Sequence, residues 1–78
     1  MSLLLSEIKI GEKALIVAVN TEKIPLKLLE MGCLPGNLAE LIQIAPFGDP
    51  YYFTINDSHV AIRKEIANEV TVVLEKQN

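Results

Sequence analysis

The sequence predicts a mainly β protein, a small antiparallel β-barrel of about five strands with one short helix inserted between strands 1 and 2. Three observations support this fold class. Valine and isoleucine together number fifteen against eleven leucines, and β-branched side chains favour a pleated sheet over a helix. Turn-forming residues divide the 78 residues into short pieces, of which one has helical spacing. A barrel also covers the edges that an open five-stranded sheet would expose.

The first part of the chain predicts a turn followed by the first strand. Residues 6–11 read as a turn or single-turn element that ends on glycine, and residues 13–20 read as a strand. Positions 14–19 of this strand are all apolar. Such a strand is expected at the centre of a sheet, covered on both faces.

Residues 24–31 are the best helix candidate. Pro25 suits the first helical position, where its missing N–H costs nothing, and Gly32 stands where a left-handed residue ends a helix. Pro35 and Gly36 then predict a type II turn. The apolar residues of the helix fall on two neighbouring stripes, Leu26 with Leu29 and Leu28 with Met31.

The rest of the chain predicts short strands joined by tight turns. Residues 46–50 contain two prolines and are expected to form a bend, and residues 56–58 form a hairpin turn because Asn and Asp tolerate left-handed backbone. Residues 63–68 predict a single helical or 3-10 turn. The strands themselves are expected at 37–45, 51–55, 59–62 and 70–74.

Both an SH3-like barrel and an OB-fold fit five short strands and one helix. The helix falls between strands 1 and 2, where an SH3-like barrel has its long loop, whereas an OB-fold usually places its helix between strands 3 and 4. The sequence therefore favours the SH3-like barrel, as a single domain over residues 1–78 with its core at about 5–74.

Composition excludes several classes of function. The net charge of −3 and pI near 5.0 disfavour nucleic acid and anionic membranes as partners. The longest apolar run has six residues, too few for a membrane span, so we expect no membrane insertion. One cysteine, Cys33, cannot form an intrachain disulfide, which favours a reducing, cytoplasmic location.

No pattern of residues predicts catalysis or a cofactor. His59 is a candidate metal ligand, but no Cys or His lies at ligand spacing from it, so an ordinary residue at a strand start is the better interpretation. Cys33 reads as a small apolar filler, and Glu65 and Glu69 as a solvated pair. We therefore predict no enzyme activity, no cofactor and no metal site.

Two apolar groups are candidates for binding a partner protein. Phe47 lies in a proline-bounded turn, and alternation along residues 51–55 points Tyr52 away from the core while Tyr51 and Phe53 face it. A two-turn helix cannot bury both of its apolar stripes against one small barrel. Part of the surface formed by Leu28, Met31 and Leu34 is therefore expected to remain available to a partner or to a second copy of the chain.

Four segments in this order resemble the FeoA family, the small cytoplasmic component of bacterial ferrous-iron uptake. They are residues 5–12 (LSEIKIGE), 28–36 (LLEMGCLPG), 45–50 (APFGDP) and 60–67 (VAIRKEIA). The resemblance covers about residues 5–74. One departure is Ile62, where the family usually has Leu before Arg-Lys, and this keeps the position apolar.

The resemblance implies an SH3-like barrel without enzyme activity that contacts the cytosolic part of the ferrous-iron permease FeoB. It carries over no catalytic or metal-binding residue. The alternative is a stand-alone metal-responsive regulator, since the same domain forms the C-terminal part of repressors of the diphtheria-toxin-repressor type. Such a regulator would bind a transcription factor or a transition metal. The residues of the resembling segments are expected to shape turns: Gly32, Pro35, Gly36, Gly48, Asp49 and Pro50.

Overall fold

A computed structural model describes residues 1–75, and within them six strands form a single antiparallel sheet. In chain order the elements are β1 (Leu3–Leu4), a 3-10 turn (Leu5–Glu7), β2 (Lys13–Val19), α1 (Leu26–Glu30), β3 (Leu38–Ile44), β4 (Tyr51–Ile55), β5 (Ser58–Ile62), α2 (Lys64–Ala67) and β6 (Val70–Leu74). The strand order in the sheet is β1-β6-β2-β3-β4-β5. The helix α1 lies between the first two long strands, as the sequence predicts.

The core lies on the concave face of the curled sheet. Alternate residues of five strands point into it, as in the buried positions Tyr51, Phe53 and Ile55 of β4. Tyr51 and Phe53 pack with ring centroids 6.2 Å apart, which confirms the predicted inward face of this strand. The core is completed from outside the sheet by buried residues of the turns and helical segments, namely Leu5, Ile8, Ile24, Cys33 and Ala67.

Two β-bulges bend the long strands. The pairing of β2 with β6 shifts between Ile16 and Ala18, and the pairing of β3 with β4 shifts between Leu41 and Gln43. The extra residue in each strand, Val17 or Ile42, is exposed. Because a bulge increases local twist and bend, these two positions curl the sheet around its single core.

Two expectations about the sheet are wrong: that β2 is covered on both faces, and that the barrel closes. Strand β2 is central in the sheet, but its outward residues Leu15 and Val17 are 39% and 42% exposed, because a single curled sheet buries only its inner face. The barrel is also open: within residues 1–75, β1 and β5 are the edges of the sheet and no pairing joins them.

The turns follow the predicted chemistry. Asn56 and Asp57 have φ of 52° and 66°, the left-handed values of a two-residue hairpin between β4 and β5. Gly32 and Gly36 both have positive φ, as expected after the helix and in the Pro-Gly turn. Helix α1 is shorter than predicted, and Pro25 is its N-cap instead of its first residue.

Candidate functional site

The interior is formed by hydrophobic residues. Among residues 1–75, no residue of the polar or charged types is buried. Cys33 is 1% exposed, and burial raises the pKa of its thiol because the thiolate is poorly solvated there. The polar and charged side chains of residues 1–75 lie outside this core, on the outer face of the sheet, the helices and the loops.

A polar row crosses four strands on the outer face. Lys13 of β2 lies opposite Glu40 of β3, Glu40 lies opposite Thr54 of β4, and Thr54 lies opposite His59 of β5. These side chains line an open groove of about 490 Å³ that Asp57 also borders. The opposite charges of Lys13 and Glu40 favour this cross-strand pair.

The groove does not gather metal ligands. His59 is exposed, whereas Cys33 is buried in the core, so the histidine and the cysteine of the chain do not share a site. Within the described part of the chain, no three His, Cys, Asp or Glu side chains are placed to hold one metal ion. The groove can form hydrogen bonds and charge pairs with a ligand or partner.

An apolar depression lies beside the polar row. Leu15 of β2 is directly opposite both Leu38 of β3 and Val73 of β6. With Leu74, these side chains line a depression of about 350 Å³ that Gly36 and Glu75 border. All four apolar side chains are between 36% and 42% exposed. We call this the β2–β3–β6 depression.

A second apolar area lies on the other side of the polar row. Tyr52 of β4 is opposite Ala61 of β5, and both line a depression of about 310 Å³ with the bulge residue Ile42. Tyr52 is 40% exposed, so alternation predicts its outward direction correctly.

Phe47 stands alone at the tip of the loop between β3 and β4, and its side chain is fully exposed. Two backbone hydrogen bonds brace this loop: the amide of Ala45 donates to the carbonyl of Pro50 at 3.0 Å, and that of Gly48 donates to the carbonyl of Ala45 at 2.8 Å. A braced loop loses little conformational freedom on binding, which suits Phe47 to anchor a partner.

The predicted helical surface is only partly available. Leu28 and Met31 are half-buried and pack against the core, whereas Leu34 is 42% exposed. Leu26, on the other apolar stripe of α1, is 69% exposed. The structure therefore leaves Leu26 and Leu34 as the accessible apolar side chains of this segment.

The predicted turn residues include one with a direct structural contact to another element. Asp49 accepts a hydrogen bond through Oδ1 from the backbone N–H of Lys64 at 2.8 Å, which ties the β3–β4 loop to the start of α2. The peptide bond between Asp49 and Pro50 is cis. Pro35 and Gly36 lie in the turn before β3, where the amide of Gly36 donates to the carbonyl of Ile16 at 2.8 Å.

Sequence reasoning does not find the β2–β3–β6 depression. Its signal is present in the unbroken apolar run at residues 14–19, which predicts a strand covered on both faces. A run of this kind also fits a central strand with an apolar outer face that is open to a partner.

No helix within residues 1–75 combines the length and apolar character that crossing a bilayer requires.

A curled antiparallel sheet with hydrophobic residues on its inner face and, within residues 1–75, its polar residues outside the core defines a small, open β-barrel domain. The FeoA domain model matches residues 3–74 of this chain. The chain belongs to the FeoA family.

A curated relative links this family to a transporter. The Fe(2+) transport protein A/Fe(2+) transporter FeoB fusion protein of Porphyromonas gingivalis (strain ATCC BAA-308 / W83) is 39% identical to this chain over 75 residues. The match covers 95% of this chain and 9% of the relative, so the chain spans only a small part of that protein.

Solved structures agree on the fold. A crystal structure of an iron uptake regulatory protein (FeoA) is 28% identical with a TM-score of 0.81, and the match covers 96% of this chain and 99% of that one. The FeoA of Stenotrophomonas maltophilia, complexed with zinc and described as a prokaryotic SH3 domain protein, is 24% identical with a TM-score of 0.72, covering 96% and 89%. The predicted SH3-like fold is confirmed.

Proposed function

We propose that this chain is a non-enzymatic accessory protein of ferrous-iron uptake that acts by contact with the cytosolic part of a FeoB-type permease. The fusion relative carries this proposal, because a segment 39% identical to the chain is joined there to a FeoB transporter. Covalent linkage raises the effective concentration of two partners, and fusion is therefore expected for domains that work together. The buried residues, all apolar within residues 1–75, are consistent with a role exercised at the surface.

The proposed contact residues lie at both ends of β3: the exposed aromatic residues Phe47 and Tyr52 near its end, and Leu34 before its start. Phe47 is fully exposed on a braced loop, and Tyr52 and Leu34 are 40% and 42% exposed. Aromatic anchors that enter a pocket of the partner supply much of the energy of an interface. Leu28 and Met31 are half-buried and would contribute support more than direct contact.

Such a protein changes transport only if it binds one conformation of the permease more tightly than another. The family resemblance implies that the permease FeoB carries a GTP-hydrolysing domain. The bound nucleotide is therefore the variable to test, since GTP and GDP states of such domains differ in conformation. We expect the affinity of this chain to differ between these two states.

The test is a titration of the chain against the purified cytosolic domain of the cognate permease, by calorimetry, with GTP analogue and with GDP. We expect saturable binding, weakened by at least about tenfold in Leu34→Asp/Phe47→Asp, because both side chains would lose an apolar pocket. Lys23→Asp, an exposed residue outside this surface, is the control and should bind like the wild type. No binding in either nucleotide state would refute the function, and undiminished binding by the double variant would refute the surface.

A further inference from the structure

The outer face of β2, β3 and β6 is unusual for a sheet that faces water. Antiparallel sheets of this kind normally alternate apolar residues inward with polar residues outward. Here Leu15 forms direct cross-strand pairs with Leu38 and with Val73, and all three side chains point away from the core. Leu74, the next residue along β6, also lines the depression.

The sequence could have placed polar residues at these positions without loss to the core. The inward neighbours Ala14 and Ile16 are fully buried and already supply the packing of β2. Leu15 is not needed for that packing, since it lies on the opposite face. An apolar row that the fold does not require is typical of a surface that a partner covers.

Both ends of the described chain lie next to this depression. β1 pairs with β6 at Leu3↔Val72 and Leu4↔Thr71, so the chain before Leu3 and the chain after Leu74 leave the same corner of the sheet. Leu74 and Glu75 themselves border the depression. A domain joined to either end would therefore start within reach of the β2–β3–β6 depression.

The fusion relative contains such a joined domain. The match covers 95% of this chain but 9% of the relative, so most of the relative lies beyond the ends of the matched segment. Whichever end carries the transporter, the connection leaves from the corner formed by β1 and β6. A covalent connection of this kind keeps the permease at a high effective concentration close to the depression.

We infer that the β2–β3–β6 depression is a second contact site for the cytosolic part of the permease, distinct from the surface around Phe47 and Tyr52. This inference rests on the proposed function and names a further surface that serves it. The occupant is an apolar projection of the permease domain, which would cover Leu15, Leu38 and Val73. The charged residue Glu75 borders the depression, and Lys13 lines an adjoining pocket together with it. Polar groups surround an apolar centre in the same way in protein interfaces.

The test compares Leu38→Lys with Ile10→Lys in the full chain. Leu38 is 42% exposed inside the depression, and Ile10 is 60% exposed outside it, so both substitutions place a lysine at an exposed apolar position. We expect Leu38→Lys to weaken binding to the permease's cytosolic domain by at least about tenfold, because a charge is buried without a partner. Ile10→Lys should bind within about twofold of the wild type, since surface contacts outside an interface matter little.

The results separate the inference from the proposed function. If Leu38→Lys binds the cytosolic domain of the permease as tightly as the wild type does, the inference is overturned and the proposed function stands. If the wild type itself does not bind, the proposed function is refuted. Light scattering tests the other occupant: a dimer that Leu38→Lys dissociates while permease binding is unchanged would assign the depression to a second copy and also overturn the inference. If Leu38→Lys fails to fold by circular dichroism, Leu38→Thr replaces it, with the same expected direction.

Discussion

At the scale of single residues, Gly32 occupies a position after α1 that requires a glycine. Gly32 has φ of 107° and is buried, and a Cβ at this position would lie 3.1 Å from the Cβ of Asn56 and 3.5 Å from Nδ2 of Asn37. Asn37 also donates from Nδ2 to the carbonyl of Gly32 at 2.8 Å. The residue therefore combines a backbone conformation that favours glycine with a close approach of the β4–β5 hairpin.

Gly32→Ala should lower the free energy of unfolding by about 1–3 kcal/mol from backbone strain, with an added cost from the contact with Asn56. Gly36→Ala is the matched control, since Gly36 has φ of 98° but a Cβ added there would meet nothing within 4 Å. Urea denaturation measures both variants. Equal losses would show that the contact with Asn56 contributes nothing, and a smaller loss in Gly32→Ala would contradict the packing described here.

Cys33 gives the fold a dependence on alkaline pH. Burial raises the pKa of its thiol in the folded chain, so the unfolded chain loses its proton first, at its ordinary pKa of about 8.5. The stabilisation from this group is complete below that value and is lost as pH rises toward the folded pKa. We expect the wild type to lose stability relative to Cys33→Ala as the pH rises above the ordinary pKa of a thiol.

The measurement is urea denaturation of both proteins across this pH range. Iodoacetamide should also react slowly with the native chain and quickly after unfolding, because the reactive species is the thiolate. A constant difference in stability between the two proteins across the whole range would be evidence against the effect.

At the scale of elements, the β3–β4 loop supports the start of α2. Arg63, the N-cap of this helix, makes no side-chain capping hydrogen bond, and Asp49 supplies the acceptor for the N–H of Lys64 from a distant part of the chain. Asp49→Ala should cost about 1 kcal/mol, the usual value of a lost cap. Asp49→Asn keeps an acceptor oxygen and should lose less.

Hydrogen exchange at the Lys64 amide tests this contact directly, with urea denaturation as the measure of stability. Exchange should be faster in Asp49→Ala and close to the wild type in Asp49→Asn. Unchanged exchange in Asp49→Ala would mean that the carboxylate does not protect this amide.

The elements also show what the sequence can and cannot predict. The strands at residues 51–55 and 70–74 have the predicted bounds, because alternation and flanking turn residues define short strands well. Strand β1 escapes prediction, since its two residues pair with β6 at a distance of about seventy positions along the chain. The prediction that Leu15 is covered is wrong. An unbroken apolar run shows that both faces of a strand are apolar, but it does not show whether another layer packs over the outer face.

The sequence likewise predicts one of the candidate contact surfaces and not the other. Alternation predicts the outward direction of Tyr52, and the prolines around Phe47 predict its exposure. The β2–β3–β6 depression depends on the register of three strands that are far apart in sequence. Local patterns do not determine such a register, so Leu15, Leu38 and Val73 can be recognised as one row only from the structure.

At the scale of the whole molecule, the pairing of β6 with β1 places the two ends of the described chain side by side. Strand β6 lies between β1 and β2, so the most C-terminal strand of residues 1–75 pairs with the two most N-terminal ones. These two pairings cannot form until β6 is available, whereas β2 to β5 pair with one another in chain order. Proteins dominated by such distant pairings fold more slowly than those built from local contacts.

This arrangement predicts that the chain tolerates circular permutation. Because β1 pairs with β6, a flexible glycine-serine linker can join the original ends, and new ends can be opened between Glu22 and Lys23 in an exposed turn. The permutant keeps every strand pairing and should lose only about 1–2 kcal/mol of stability, since the cost of closing loops changes slowly with their length. A permutant opened between Ile16 and Val17 is the control: it cuts the central strand and should not fold. Circular dichroism and urea denaturation distinguish the two, and failure of the Glu22–Lys23 permutant to fold would contradict the adjacency of the two ends on which the second contact site also depends.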